Sequence, residues 1–431
     1  MKKASLYNRY VIVNSDLYVY NLLSRALINL GDPKWELQLK EGKLDEIDNE
    51  TIKLLEDNKI ITNKDVNEYL HILRLERKIK YCNKNARLAI LPTLNCNFKC
   101  WYCYENHVHQ NMTSNDCNVL YKFSEKLINS NKLNTFTLDW FGGEPLIMFK
   151  NVIVPFSKKI MKLTEKNKIS FNNMITTNGA LVKNEFIPLM NEIKLNKFQI
   201  TLDGGKKFHN RTRYSNSVTN SYDLIISNVK LITNEINNAD ITIRINCTSE
   251  NIESVCSIID SFEIEVRNKI NINFQPIWQE VESLKKFSDK TYEITKAFHD
   301  AGFIVPSFSS IPPCPNLCYV ENMLHYTIVP GLNVFKCTAR DFNTESNNYI
   351  GYISNNGDFI SNDNILRYYC NSFFENNNCK ECEVLPICRG NCIQKHIENN
   401  PLECQKNYLM KSVDSIIKNM ILSRINSKKD L

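Results

Sequence analysis

No stretch of this 431-residue chain stays apolar long enough to cross a bilayer, which takes about 20 consecutive apolar residues. No membrane partner is therefore expected. The first ten residues, Met1-Lys-Lys-Ala-Ser-Leu-Tyr-Asn-Arg-Tyr10, hold no continuous apolar segment. No secretory signal is expected there, and a cytoplasmic location is. Charge of one sign is scarce as well. Lys and Arg number 53 against 47 Asp and Glu, and the resulting +6 is spread thinly, which gives no argument for a nucleic-acid partner. Hydrophobic content of 43% and charged content of 23% are those of a globular protein with ample core. The length suggests two to four domains.

Cysteine is abundant, at sixteen residues. A secreted disulfide framework is one reading of that number. Clustered Cys-x-x-Cys spacings in a chain without a secretory segment favour metal instead. The densest cluster is Cys96-Asn-Phe-Lys-Cys100-Trp-Tyr-Cys103, after an apolar run, Leu88 to Leu91, that reads as a buried strand. A loop with this C-x3-C-x2-C spacing can wrap three thiolates around one iron–sulfur cluster. A cubane cluster usually takes four thiolate ligands. Three leave one iron open to a substrate or cofactor. The competing reading is a partial zinc site or three unrelated thiols.

From residue 85 to about 303, strand and helix patterns alternate. Strands are predicted at Arg87–Leu91, Thr135–Phe141, Asn172–Thr176, Phe198–Leu202, Ile241–Cys247 and Ile270–Phe274. Helices are predicted over 115–130, 151–166, 184–192, 221–235, 252–261 and 291–301. Six such repeats predict an α/β fold, a parallel sheet with helices outside, closed only partly as a (β/α)6 barrel. Ligands of such folds lie at the C-terminal ends of the strands. Each candidate motif falls there: the cysteine loop, Gly142-Gly143-Glu144-Pro145, Thr177-Asn178-Gly179, and Thr201-Leu-Asp203-Gly204 followed by His209, Arg211 and Arg213.

Ahead of this region, Tyr10–Val13 and Leu17–Tyr20 read as a hairpin turning at Asn14-Ser-Asp16. Asn21 to Asn29 reads as a helix ending near Gly31. Further helices are predicted over 50–55 and 65–79, with a short strand at Ile60-Ile61. Beyond the barrel, a Pro- and Ser-containing connector, 301–315, marks a boundary.

The cysteine loop resembles the signature of the radical S-adenosylmethionine (SAM) superfamily, and the resemblance runs from about residue 85 to the end. It implies that Cys96, Cys100 and Cys103 hold a [4Fe-4S] cluster whose open iron chelates SAM. An electron from the cluster then breaks a sulfonium bond, giving a 5′-deoxyadenosyl radical. It further implies that Tyr102 lies beside the adenine and that Gly143 and Glu144 hold the methionine amine. Thr201 would contact SAM through its hydroxyl and Arg213 would meet the SAM carboxylate. Arg244 and Asn246 point to the same pocket, while Asp203 and His209 brace the loop.

The run Cys379-x2-Cys382-x5-Cys388-x3-Cys392, followed by Cys404, resembles the SPASM domain. That domain carries two auxiliary four-iron clusters, making three in all. The resemblance gives Cys318, Cys337 and Cys392 to one cluster, with Cys314 as fourth ligand or an open iron in its place. Cys379, Cys382, Cys388 and Cys404 go to the other. Two zinc sites are the alternative, since C-x2-C also suits zinc. Cys82, Cys117, Cys247, Cys256 and Cys370 read as ordinary small apolar residues.

The expected organisation is a winged-helix-like α+β domain over 1–84, the barrel over 85–305, and a cysteine-rich iron–sulfur domain over 306–431. The first domain resembles the peptide-binding element of peptide-modifying radical SAM enzymes; a structural cap on the barrel is the alternative. The expected activity is that of an oxidoreductase, a maturase that cross-links a ribosomally made precursor peptide. Its reducing partner would be a flavodoxin or ferredoxin. An anaerobic sulfatase maturase and a non-catalytic iron–sulfur electron carrier are the alternatives. Sulfatase maturases carry an aspartate directly after the second auxiliary cysteine. Here that residue is Thr338, with Asp341 three positions on.

Overall fold

The computed structural model describes residues 2–44, 47–215, 218–277, 279–388, 390, 392–399 and 404–427. It divides into two units. The first combines Met1–Tyr81 with Ser307–Asn322 and Arg367–Leu431; the second combines Cys82–Pro306 with Met323–Leu366. The segment 306–431 is thus not one compact body. Part of it folds with the N-terminal residues and part joins the large sheet.

In the first unit, β1 (Lys2–Ala4) pairs antiparallel with β5 (Ile61–Asn63), and β2 (Asn8–Val13), β3 (Asp16–Asn21) and β4 (Leu27–Gly31) form a three-stranded meander. Asn14 and Ser15 take positive φ at the β2–β3 turn, the conformation a two-residue hairpin needs to match strand twist. The helix predicted over 21–29 is not there. Leu22, Leu23, Ala26 and Leu27 have helical spacing, but Arg25 sits at φ 68° and the chain turns back. Leu27 to Gly31 then pairs with β3, so tertiary pairing overrides local propensity.

One face of the meander packs Tyr7, Val11, Val13, Tyr20 and Leu22 against Ile72 and Leu73 of helix Glu68–Lys80. The same core takes in Phe374, Cys382, Val384, Leu385 and Ile387, with Val413, Ile417 and Ile421 of helix Lys406–Ser427. The other face buries Val19 against Leu39, Leu55, Ile60 and Ile61. Helices Lys34–Glu41 and Asn49–Asp57 supply Leu39 and Leu55. Asp48 caps the latter by accepting from the Thr51 amide at 2.8 Å.

The second unit is built on ten strands. Six run parallel and in chain order: β6 (Asn85–Ile90), β7 (Thr135–Trp140), β8 (Ser170–Thr177), β9 (Leu195–Leu202), β10 (Asp240–Cys247) and β11 (Ile270–Pro276). Leu88 to Leu91 are all fully buried, the near-continuous apolar run of a strand covered on both faces. Beyond β6 the sheet continues with β12 (His325–Ile328), which is parallel to β6, and then antiparallel β13 (Asn333–Phe335), β14 (Tyr349–Ile353) and β15 (Phe359–Ser361). The helix predicted over 252–261 is a 3-10 stretch, Ile252–Ser261. Helix Ser114–Ser130 opens with a reciprocal cap between Thr113 and Asp116, at 2.8 and 3.0 Å, which fixes where the cysteine loop ends. Among the described residues no helix is long and apolar enough to cross a membrane.

Candidate active site

The loops at the C-terminal ends of β6, β7, β8 and β9 enclose a cavity of about 120 Å³. Cys96, Cys100 and Cys103 line it together with Tyr102, Glu105, Gly142, Gly143, Thr177, Asn178, Thr201 and Arg213. The cysteine loop is pinned from several sides. The Leu94 amide donates to the Gln110 carbonyl at 2.9 Å, the Lys99 amide to the Tyr214 carbonyl at 3.1 Å, and the Cys103 amide to the Cys100 carbonyl at 3.1 Å.

The two glycines have a steric reason to be there. A Cβ on Gly143 would stand 2.3 Å from the Asn95 carbonyl oxygen, and one on Gly142 would stand 2.6 Å from that of Thr93. Gly142 also holds φ at 104°. The backbone after β7 therefore lies directly on the cysteine loop.

Glu144 is fully buried and is not among the lining residues. One carboxylate oxygen accepts from the Leu146 amide at 3.0 Å and the Thr177 hydroxyl at 2.7 Å. The other accepts from the Asn178 amide at 2.8 Å. Burial raises its pKa, and those three donors oppose the rise. As placed, Glu144 ties the β7 loop to the turn after β8.

On the opposite wall, the Tyr102 hydroxyl donates to Asp203, 2.7 and 2.9 Å from its two oxygens. It accepts from Arg213 Nη2 at 2.7 Å and Asn246 Nδ2 at 3.0 Å. Arg213 Nε donates to Asp203 at 3.0 Å, with the two side chains only 10% and 1% exposed. Burial works against the Arg213 charge, but Asp203 and Tyr102 hold the guanidinium well above its ordinary pKa. Arg244 is outside the lining and donates to the Asn246 oxygen at 2.9 Å, so it steadies the group that steadies Tyr102. His209 is buried, and its Nδ1 accepts from the Asp203 amide at 3.3 Å. Burial depresses its pKa to about 4, which keeps the ring neutral.

Burial also pushes the three thiols up, Cys96 to about 12 and Cys103 to about 11, while the Arg213 charge pulls Cys100 back. Without a metal these thiols keep their protons, so metal binding must displace them. Among the described residues no group of three or more His, Cys, Asp or Glu is placed to hold a single metal ion. A four-iron cluster asks for a different arrangement, one thiolate on each separate iron corner. Three cysteines on one cavity wall, beside a fixed cation and a backbone with no Cβ, fit that group.

The remaining cysteines divide between the units. Cys314, Cys318, Cys379, Cys382, Cys388, Cys392 and Cys404 belong to the first, and Cys337 follows β13 in the second. Burial raises the Cys379 thiol first, and Cys382, Cys388 and Cys404 raise it further. Burial raises Cys314 to about 11.

Glu105 carries no sequence signal beyond its place two residues after Cys103. It lines the cavity, and its Oε2 is buried without a hydrogen-bond partner among the described residues. Burial and then Asp341 raise it to about 8.

Residues 90–262 match the Radical SAM superfamily. The chain carries a radical SAM domain. Such a domain implies a four-iron cluster and SAM. The chain is similar to the radical SAM cyclopropyl synthase TigE of Paramaledivibacter caminithermalis, 22% identical over 352 residues, which span 75% of this chain and 71% of TigE. It is also similar to a cysteine-type anaerobic sulfatase-maturating enzyme of Clostridium novyi, 23% identical over 367 residues, spanning 78% of this chain and 96% of that enzyme. Among solved structures, native anSMEcpe with bound AdoMet and Cp18Cys peptide aligns over 80% of this chain and 99% of its own. Its TM-score is 0.57 at 17% identity, a likeness of fold.

Proposed function

We propose that this radical SAM enzyme is a peptide maturase that installs a cross-link, thioether or carbon–carbon, in a ribosomally made precursor peptide. The observation that carries this reading is the single cavity at the strand ends, where Cys96, Cys100 and Cys103 meet Gly143, Thr201 and Arg213. A carrier of electrons alone has no use for that second set of residues. When bound, a cluster with an open iron corner supplies the electron that converts SAM to a 5′-deoxyadenosyl radical.

In this reading the six parallel strands act as a partial (β/α)6 barrel that keeps water from the radical. Tyr102 lies against the adenine, and its hydroxyl is fixed by Asp203, Arg213 and Asn246. Gly143 lets the methionine end approach the wall, and Glu144 holds the Thr177–Asn178 turn behind it. Thr201 contacts SAM through its own hydroxyl, and Arg213 meets the SAM carboxylate. Cys379, Cys382, Cys388 and Cys404 hold one auxiliary cluster. The other expected set is Cys314, Cys318, Cys337 and Cys392.

The first 81 residues take the precursor. Helix Lys406–Ser427 packs along β2, and β4 has no strand on its outer edge among the described residues. An extended peptide can add there by backbone hydrogen bonds. A flavodoxin or ferredoxin supplies the electron.

The test is anaerobic incubation with SAM and a reductant, followed by co-expression with short peptides encoded beside the gene. Release of 5′-deoxyadenosine and a peptide that loses two hydrogens are the expected results. No mass change in any such peptide overturns the reading. A second reading, a sulfatase-maturase activity, is favoured by the coverage of the Clostridium novyi enzyme. It predicts a product in which the target cysteine has lost its sulfur.

A further inference from the structure

Tyr7 stands between β1 and β2 and is fully buried. Its main chain is paired on both sides. The amide donates to the Ser5 hydroxyl at 3.2 Å, and the carbonyl accepts from the Leu22 amide at 2.9 Å. Its hydroxyl is different. Among the described residues nothing hydrogen-bonds to it. A buried hydroxyl without a partner is costly, and phenylalanine would fill the same core without that cost.

The neighbours of this hydroxyl are informative. Tyr7 belongs to the core that contains Cys382, and Cys379 packs against the same core. Burial first, then Glu68, then the sulfurs of Cys314 and Cys382 push the phenol well above its ordinary range. Glu68 is already engaged, accepting from the Ser5 hydroxyl at 2.5 Å and the Leu6 amide at 3.1 Å. Of the two, Cys382 is given above to an auxiliary cluster. All these groups lie in the first unit.

We propose that the Tyr7 hydroxyl donates a hydrogen bond to an auxiliary-cluster sulfur at Cys382 and sets the reduction potential of that cluster. This rests on the reading of that cysteine as a cluster ligand. Reduction adds negative charge to the sulfurs, and a hydrogen bond donated to one of them stabilises the reduced state. Tyr7 is then a positioning and tuning residue contributed by the N-terminal segment to the iron–sulfur region.

The variant is Tyr7→Phe, which keeps the ring and its packing and removes only the donor. Three readouts on the anaerobically purified, iron-loaded protein decide the matter. The midpoint of one auxiliary cluster, followed by redox-titrated electron paramagnetic resonance, is expected to fall below wild type. A deuteron coupling seen in wild-type protein exchanged into heavy water is expected to vanish. The thermal midpoint of the holoprotein is expected to drop. The cluster expected to move is the one given to Cys379, Cys382, Cys388 and Cys404. Unchanged midpoints, or a holoprotein that becomes more stable when the hydroxyl is removed, overturn the assignment. Wild-type iron and sulfide in excess of one cluster test the underlying reading. That excess, with no change in Tyr7→Phe, sinks the Tyr7 role alone.

Discussion

Arg9 of β2 holds Asp414 of the C-terminal helix through two hydrogen bonds, from Nε at 2.9 Å and from Nη2 at 2.8 Å. Its third nitrogen reaches Glu383, next to Cys382, at 2.9 Å. The Arg9 side chain is only 11% exposed, while its partners are about one-third exposed. Desolvation lowers the Arg9 pKa, and the Asp414 hydrogen bond together with the charges of Asp414, Glu383 and Glu36 more than restores it. Replacing Arg9 by Met leaves two partly exposed carboxylates without their shared cation. After discounting for solvent screening, the expected loss is about 1–2 kcal/mol. A lower thermal midpoint checks it, and Asp414→Asn should lose less because Glu383 remains.

A larger perturbation follows from the same packing. Deleting residues 1–81 removes Tyr7, Val11, Val13, Tyr20, Leu22, Ile72 and Leu73 from a core shared with Val384, Leu385 and Ile387. The truncated protein should be depleted of auxiliary iron or aggregate, rather than persist as a folded enzyme that merely binds peptide poorly. Iron content beside far-ultraviolet circular dichroism distinguishes these outcomes. A folded truncate with full iron contradicts the shared core.

That shared core is where the sequence is least legible. Arg9 and Asp414 are 405 positions apart, and nothing local in either segment announces the other. The parallel strands were readable because strand and helix patterns alternate along the region, beginning with the apolar run Leu88 to Leu91. The cysteines and glycines at the strand ends were readable because their spacing carries the chemistry. β4 was misread because its helical spacing is genuine and only Arg25 at positive φ and pairing to β3 defeat it. β12 was missed because His325 to Ile328 is four residues long and depends on β6 for a partner. Glu105 was missed because a lone acid beside a cysteine motif has no pattern of its own.

Asp203 is the keystone of the Tyr102 wall, and its removal has a clear sign. In Asp203→Ala the Arg213 guanidinium is left buried without its counter-charge, a situation that costs roughly 3–5 kcal/mol in comparable pairs. Tyr102→Phe removes one hydroxyl from the same network and should cost about 1 kcal/mol. SAM affinity, read from its perturbation of the reduced-cluster resonance, should weaken in the order Asp203→Ala, then Tyr102→Phe. The reverse order would place the main contribution on the phenol.

Gly143→Ala tests the approach of the β7 loop to the cysteine loop. The added Cβ would meet the Asn95 oxygen at 2.3 Å and the Leu94 oxygen at 2.7 Å, both backbone atoms that cannot rotate away. Overpacking of this kind typically costs about 1–3 kcal/mol, so SAM affinity should fall roughly tenfold or more. The thermal midpoint should fall as well, by a few degrees. Wild-type affinity would show that the loop yields.

Cys100→Ala and Cys382→Ala separate the two proposed iron regions. Cys100 lies on the cavity wall in the second unit, and Cys382 lies in the core of the first. If the first region makes the radical and the second serves the product, Cys100→Ala should abolish SAM cleavage altogether. Cys382→Ala should retain some cleavage while making no modified peptide. Cys382 is only 8% exposed, so its loss also removes packing, and circular dichroism must show a folded variant before its activities are compared. Parallel loss of both activities in a folded Cys382→Ala would mean that the two regions do not divide the labour.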